Sequence, residues 1–205
     1  MSKDAPTLTQ AQPLGRIGPN AILQMLPVLD QTCGRPRRDA LVQRAGLNAL
    51  PDGLGMIPEA QAARLHQQVR KDEPERGARI CTASGIGTAE YIMAHRIPAA
   101  AQWLLKALPA RLAAPLLAKA IKTHAWTFVG SGSFRVVTPW VFEITHNPLI
   151  ERETSDVPLC HWHASVFETL YQTLVSPDCT CAEVTCAAMP GNSRCRFEIT
   201  RQRRA

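Results

Sequence analysis

Cysteines concentrate near the C-terminus of this 205-residue chain. The segment CTCAEVTCAAMPGNSRCRF, residues 179–197, contains four of the seven cysteines. Such a group of thiols can bind a metal ion, form a redox pair or a disulfide, or pack as small buried apolar groups. The odd number of cysteines excludes complete pairing. No Cys-x-x-Cys spacing is present, which disfavours an iron–sulfur cluster and a redox disulfide.

A β-hairpin would bring two of these thiols together. The segment MPGN, residues 189–192, has the composition of a turn. It lies between two strand-like segments, 180–188 and 193–200, that it would fold onto each other. Cys186 and Cys195 would then face each other across the hairpin.

Two further groups could complete a four-coordinate zinc site. Cys160 lies at the predicted start of a helix, where the helix dipole lowers the pKa of a thiol. Glu183 could supply an oxygen, but it is three residues from Cys186, and regular strand alternation sends these two side chains to opposite faces. A bulge or a strand end would be required, or Cys179 or Cys181 could replace Glu183. Spacing alone leaves zinc and buried free cysteines as open alternatives.

The elements that must position these residues are mainly strands. The segments AWTFVGSGSF (125–134) and PWVFEITH (139–146) are rich in aromatic and β-branched residues, which predicts two strands before the cysteine-rich hairpin. Apolar residues recur at helical spacing in CHWHASVFETLYQTLV (160–175). The predicted order is therefore strand, strand, helix, strand, strand.

Helical patterns dominate the N-terminal half. The predicted helices are 18–30, a short helix from residue 41, 59–72, 79–97 and the segment 98–124. Because an interior proline removes a backbone donor, Pro27 should kink or shorten the first helix, and Pro109 and Pro115 should divide the last segment into short amphipathic helices. That segment is rich in Ala and Leu with interspersed Lys and Arg. It either packs on the core or forms a lid or a membrane-surface contact.

Composition and length indicate one α+β domain. With 45% hydrophobic and 20% charged residues, the chain has the composition of a folded soluble protein. We expect a flexible arm over 1–15, a single domain over 16–200 and a basic tail over 201–205. The domain divides into a helical part, 16–123, and a sheet-plus-helix part, 124–200.

The charge distribution and the N-terminal residues narrow the location and the partners. The net charge is +6, but the basic residues are scattered and no groove-reading motif accompanies them, so nucleic-acid binding is not predicted. The first fifteen residues lack an apolar core and include Asp4, which predicts no secretory signal and a cytoplasmic location. No apolar run reaches the about 18 residues of a membrane-spanning helix.

The C-terminal residues resemble the signature of the vinyl-4-reductase domain family. The matching features are a helix-opening Cys160, EVTC (183–186), a glycine turn and CRF (195–197). The resemblance implies an antiparallel four-stranded sheet flanked by helices, similar to vesicle-tethering subunits. The family includes sensory domains of aromatic-responsive transcription activators, in which the matching acid and three cysteines bind zinc. The resemblance therefore implies a structural zinc ion at Cys160, Glu183, Cys186 and Cys195.

A narrower resemblance concerns the pathway. Four segments are similar to members of this family that act in bacteriochlorophyll biosynthesis in purple phototrophs: 15–29, 89–98, 124–134 and 160–170. The resemblance implies support of the C8-vinyl (4-vinyl) reduction of a divinyl Mg-tetrapyrrole of the protochlorophyllide type. It also implies contact with other bacteriochlorophyll-biosynthesis enzymes, a homodimer, and transient contact with the photosynthetic membrane from the cytoplasm.

Reduction of a vinyl group requires an electron source, usually a nicotinamide, a flavin or an iron–sulfur centre. The pairs Gly85-x-Gly87 and Gly130-x-Gly132 lack the third glycine of a dinucleotide fingerprint, and we interpret them as helix-packing or strand-bulge glycines. No redox cofactor and no catalytic residue is assigned. The residues therefore favour a pigment carrier with an apolar pocket over the vinyl reductase itself or a zinc-containing dimerisation module.

Aromatic rings and an axial imidazole would hold such a pigment. The candidates are His124, His163, Tyr91, Trp126, Phe128 and Trp140.

Overall fold

In the computed structural model, which describes residues 15–202, helices precede most of the sheet along the chain. The N-terminal part contains β1 (Arg16–Ile17), α1 (Asn20–Leu23), α2 (Met25–Cys33), α3 (Arg35–Arg44), β2 (Ile57–Pro58), α4 (Glu59–Asp72), α5 (Gly77–His95), α6 (Ala99–Ala107), α7 (Ala110–Thr123) and α8 (Trp126–Val129). The C-terminal part contains β3 (Ser133–Thr138), β4 (Val141–Thr145), a 3-10 turn (Pro148–Ile150), α9 (His161–Leu174), β5 (Cys179–Thr185) and β6 (Arg194–Arg201).

The ends of the predicted domain fall at the limits of the described residues. Residues 1–14 of the predicted arm and residues 203–205 of the predicted tail lie outside them. Arg201, the first residue of the predicted tail, is the last residue of β6.

The C-terminal strands form one antiparallel sheet in the order β3-β4-β6-β5. This confirms the predicted α+β class and the four-stranded antiparallel sheet. Helix α9 packs on the sheet with a fully buried face that includes Phe167 and Tyr171. These rings contact Phe142 of β4 at centroid distances of 5.1 and 6.0 Å. The sheet and α9 are therefore joined by an aromatic core.

The helical part packs on the other side of α9, mainly through α5. A Cβ atom at Gly85 would lie 2.5 Å from the Trp162 carbonyl oxygen and closer still to the Ser165 hydroxyl. Only a glycine permits this approach, so Gly85 is a helix-packing glycine, as the sequence predicts.

The segment 125–134 differs from its predicted strand. Its first residues form α8 and a turn, and only the last two belong to β3. Tertiary contacts explain the difference: Gly18 N–H donates to the Thr127 carbonyl oxygen over 2.7 Å, and Glu59 accepts from the Ser131 backbone and hydroxyl, each over 2.6 Å. Gly130 turns the chain with φ of 57°. These contacts outweigh local strand propensity.

The prolines also differ in part from expectation. Pro109 separates α6 from α7 as predicted, but Pro115 lies inside a continuous α7. The carbonyl of Arg111, which loses its donor to Pro115, lies on an exposed stretch where water can replace that donor. Pro36 occupies the first turn of α3, which therefore begins earlier than the predicted residue 41.

Within residues 15–202, no helix combines the length and the apolar character that crossing a bilayer requires.

Candidate functional site

The β5–β6 hairpin and the start of α9 bring three thiols and one carboxylate together. The ligand atoms of Cys160, Glu183, Cys186 and Cys195 all lie within 4.8 Å of one another. The Sγ atoms of Cys160 and Cys195 are 3.4 Å apart. The three cysteines are almost completely buried. These four residues could hold a metal ion.

Strand irregularity resolves the conflict between Glu183 and Cys186. The β5–β6 register pairs Glu183 with Phe197 and then Thr185 with Arg196, so one residue of β5 is extra at this point. Strand β5 ends at Thr185, one residue before Cys186. The bulge and the strand end together turn both side chains towards α9, as the sequence required for this ligand set.

The Glu183 carboxylate also caps α9. Its Oε2 atom accepts a hydrogen bond from the Cys160 N–H over 2.7 Å, at the N-terminus of the helix. Its Oε1 atom is buried and has no partner among the described residues. Burial, followed by the nearby Cys186, raises the pKa of Glu183 to about 7. An unpartnered buried oxygen beside three sulfurs fits a metal ligand, since a cation would satisfy it.

The thiols share hydrogen bonds that separate their proton affinities. Burial is the main cause that raises the pKa of Cys160 well above its ordinary value. Hydrogen bonds from Cys160 and Cys195 lower the pKa of Cys186. Cys179 and Cys181, the alternatives to Glu183, are not part of the cluster that the structure forms.

Asn147 is a neighbour that the sequence did not reveal. Its Nδ2 atom lies 3.3 Å from the Cys160 sulfur and 3.9 Å from the Cys195 sulfur, and its Oδ1 atom accepts from Leu149 N–H over 3.1 Å. The side chain is thereby fixed with its N–H groups directed at the thiols. The Asn-Pro dipeptide after β4 signals a turn, but nothing local shows that the turn faces the cysteines.

Two of the six candidate pigment residues are near each other in the interior. His163 is 1% exposed, and its Nε2 atom donates to the Phe128 carbonyl oxygen over 3.2 Å. Its Nδ1 atom has no partner within the described residues, and burial lowers the pKa of the ring to about 4. Phe128 also packs against Phe134 and Phe167. Trp140 joins the far end of this aromatic core through Tyr171.

The other three candidates lie away from this core. Tyr91 contacts His95 on α5 at a centroid distance of 4.5 Å. Trp126 is 57% exposed, and His124 is exposed at the end of α7. The Nδ1 atom of His124 lies 2.9 Å from the Ala120 carbonyl oxygen, so Nδ1 carries the proton and Nε2 keeps its lone pair.

The predicted apolar pocket is not open within residues 15–202. The two best-formed concavities measure about 210 and 190 Å³ and are lined mostly by polar residues of the segments 44–71 and 72–76. Ligand pockets usually exceed about 300 Å³. None of the six candidates lines either concavity, because the interior rings pack against one another instead.

Comparisons with known proteins agree with this architecture. A family model for the vinyl-4-reductase domain matches residues 140–201, the part that contains all four clustered ligands. The bacteriochlorophyll synthase 23 kDa chain of Cereibacter sphaeroides is 48% identical over 186 residues, which cover 90% of this chain and 90% of that protein. The protein of the same name from Rhodobacter capsulatus is 46% identical over 201 residues, which cover 97% and 92%.

Solved H-NOX structures share the fold at low identity. The Fe(II) unliganded protein from K. algicida has a TM-score of 0.58 and 9% identity, covering 92% of this chain and 98% of that chain. The Fe(II)NO form from S. oneidensis has a TM-score of 0.58 and 12% identity, covering 91% and 100%. A structure described as probing heme distortion in the H-NOX family has a TM-score of 0.52 and 11% identity, covering 92% and 97%.

Proposed function

Because this chain belongs to the family of the bacteriochlorophyll synthase 23 kDa chains, we propose that it acts in bacteriochlorophyll biosynthesis as a carrier of a divinyl magnesium tetrapyrrole. The pigment is of the protochlorophyllide type. The carrier holds it for the reduction of the C8-vinyl (4-vinyl) group and passes it to other enzymes of the pathway.

The observation that carries this proposal is the imidazole of His124. Metal-binding histidines commonly donate one ring N–H to a carbonyl group, which fixes the ring and leaves the other nitrogen for the metal. His124 has this arrangement, with Nδ1 on the Ala120 carbonyl oxygen and Nε2 on an exposed residue. The exposed Trp126 ring lies two residues further along the chain. A surface site of this kind requires no enclosed cavity.

The fold and His163 give further support. The H-NOX structures, one of which is described by its heme, show that this fold can hold a flat macrocycle in other proteins. His163 is the second candidate axial ligand, because its Nδ1 atom is buried without a partner within the described residues. Binding there would require the rings of Phe128 and Phe167 to separate.

A carrier is favoured over a reductase by the way the chain uses its glycines. Gly85 and Gly87 lie inside α5, and Gly85 is needed for contact with α9. The turn at Gly130 is bound to the Glu59 carboxylate through Ser131. Neither pair therefore forms a loop whose backbone N–H groups are free to receive a dinucleotide phosphate.

We further propose that the Cys160, Glu183, Cys186 and Cys195 cluster binds a structural zinc ion. Three thiolates and one carboxylate are a common zinc ligand class, and Zn–S bonds of about 2.3 Å separate the sulfurs of a tetrahedron by about 3.8 Å. The 3.4 Å separation of the Cys160 and Cys195 sulfurs is close to this value. Since all four positions are filled by protein, the ion would join α9 to the hairpin and supply no open site for chemistry.

The proposal includes a location at the periphery of the photosynthetic membrane. An apolar macrocycle partitions into a bilayer, so its carrier has to reach the bilayer surface to load or deliver it.

A pigment titration tests the carrier. Divinyl protochlorophyllide is added to the purified full chain with NADPH present, and absorbance and fluorescence are followed. We expect a saturable spectral shift without loss of the vinyl group. NADPH-dependent formation of the ethyl group would identify a reductase, and the absence of any shift would leave a dimerisation module.

Histidine variants locate the pigment. We expect His124→Ala to weaken binding at least about tenfold, equal to about 1.4 kcal/mol. His95→Ala, which changes another exposed histidine, serves as the matched control and should bind as the unmodified chain does. A loss confined to His163→Gln would move the axial ligand to the interior of the protein.

A further inference from the structure

Helices α6 and α7 expose large apolar side chains. Trp103 and Leu104 of α6 are 72% and 49% exposed, and Leu112 and Leu116 of α7 are 51% and 47% exposed. Leu112 and Leu116 are one helical turn apart and therefore share a side of α7. We call these four residues, together with Lys106 and Lys119, the α6–α7 face.

The opposite side of α7 shows that these leucines are not needed for packing. That side contacts α9 and β3, and it buries three alanines with Leu117 and Ile121. The helix thus directs mainly small residues inward and its other leucines outward. A contiguous apolar surface of this kind usually marks a binding site.

The charge of this region is entirely basic. No Asp or Glu occurs between Glu90 and Glu143. Lys106 on α6 and Arg111, Lys119 and Lys122 on α7 are all exposed. Basic side chains beside exposed Trp and Leu are the combination that binds an anionic lipid surface, because the apolar groups enter the interface while the cations meet the headgroups.

We propose that the α6–α7 face binds the surface of an anionic bilayer. This inference rests on the peripheral location that forms part of the proposed function, but not on pigment binding. The complete absence of acidic residues over this stretch favours an anionic lipid surface over a second copy of the chain, since two copies would bring their lysines together.

Vesicle sedimentation tests the binding without any pigment. The full chain is mixed with vesicles of phosphatidylcholine alone and with vesicles of phosphatidylcholine and phosphatidylglycerol in equal parts. We expect binding to the second vesicles only. Concentrated salt should release the protein, since screening shortens the Debye length from about 10 Å at 0.1 M to about 3 Å at 1 M.

Matched variants assign the binding to this face. Leu112→Ser with Leu116→Ser should lower partition into vesicles at least about tenfold. The control Leu54→Ser, at a residue that is 90% exposed elsewhere, should have no effect. Lys119→Gln should lower partition about fivefold, whereas the control Lys71→Gln on α4 should not.

Contact by the Trp103 ring has its own signature. Bromine-labelled lipids should quench tryptophan fluorescence, and Trp103→Phe should reduce this quenching although the variant still binds.

Several results would overturn the inference: no binding to the anionic vesicles, equal binding to both vesicle types, or equal losses in the face variants and their controls. Size-exclusion chromatography covers the other occupant, because self-association abolished by the leucine substitutions would identify a second copy. If vesicle binding fails while the pigment titration succeeds, the face is not a membrane site and the carrier function stands.

Discussion

The Glu183 side chain joins the hairpin to α9 through two different interactions. One oxygen caps the helix at Cys160 N–H, and the other lies among the three thiols without a partner in the described part of the chain. The first interaction needs no metal, whereas the second is costly without a cation because a buried acceptor loses its water. Asn147 adds N–H donors on the far side of two sulfurs. Donors of this kind stabilise thiolates and would favour the metal-bound form.

Asn147→Asp tests this neighbour. The aspartate keeps an oxygen for Leu149 N–H but replaces the donor beside Cys160 and Cys195 with a negative charge. We expect zinc affinity, measured by competition with a chelator, to fall about 10- to 100-fold. Asn192→Asp places the same charge in the exposed hairpin turn and should change affinity little. Equal affinities for the two variants would show that Asn147 does not act on the site.

The sequence predicted the ligand residues but not their surroundings. The four ligands and the need for a bulge beside Glu183 follow from residue types, parity and the family resemblance. Asn147 could not be predicted, because its role depends on the position of the turn after β4 relative to a hairpin far along the chain. The same limit applies to His124, whose useful orientation comes from a hydrogen bond rather than from its neighbours in sequence.

At the scale of elements, α5 and α9 hold the helical part against the sheet-bearing part. Periodicity predicted both helices, and the glycine pair in α5 suggested close packing. The segment 125–134 shows where local pattern fails. Its aromatic and β-branched residues favour a strand, but contacts from β1 and from Glu59 fold its first part into α8 and a turn. Such contacts join distant segments and cannot be derived from propensity alone.

Gly85→Ala tests the helix contact. In a helix interior this change normally stabilises by about 0.5–1 kcal/mol. At Gly85 the added methyl group meets the Trp162 carbonyl, so we expect the free energy of unfolding to fall by about 1–3 kcal/mol. The control is Gly87→Ala, whose Cβ would lie 3.2 Å from the movable Gln24 side chain. Chemical denaturation measures both, and similar values would contradict the assigned close contact.

At the scale of the whole molecule, the proposed zinc ion is a cross-link between the last hairpin and the helix that carries the aromatic core. The hairpin contains the edge strand β5, which pairs only with β6 in the described sheet. A metal bond to Cys186 would fix the end of that strand to the start of α9. The ion should therefore stabilise the entire fold, since a closed metal site contributes its binding energy to folding.

Removal of the metal tests this role. Cys186→Ser should release zinc and lower the thermal midpoint, and a chelator should then cause no further loss. We expect the loss of stability to exceed the about 1 kcal/mol that is typical of single substitutions. Cys179→Ser is the matched control, because Cys179 is equally buried but lies outside the cluster. Elemental analysis should find zinc in this control, and a metal-free control would refute the ligand assignment.

The order of elements and the four-stranded sheet were predictable for the whole molecule, whereas the pigment site was not. Six candidate residues were chosen because they are aromatic or carry an imidazole, and the structure divides them between a packed interior and the surface. Packing of Phe128 with Phe134 and Phe167 depends on the tertiary fold. The carrier function therefore rests on the exposed His124 rather than on an enclosed cleft.

Native mass spectrometry of the full chain, incubated with divinyl protochlorophyllide and NADPH, measures pigment binding and turnover together. The account predicts a complex of one chain with one pigment whose mass is unchanged. A chain that carries no pigment at concentrations that saturate the spectral titration would contradict the account, as would a bound pigment heavier by two hydrogen atoms.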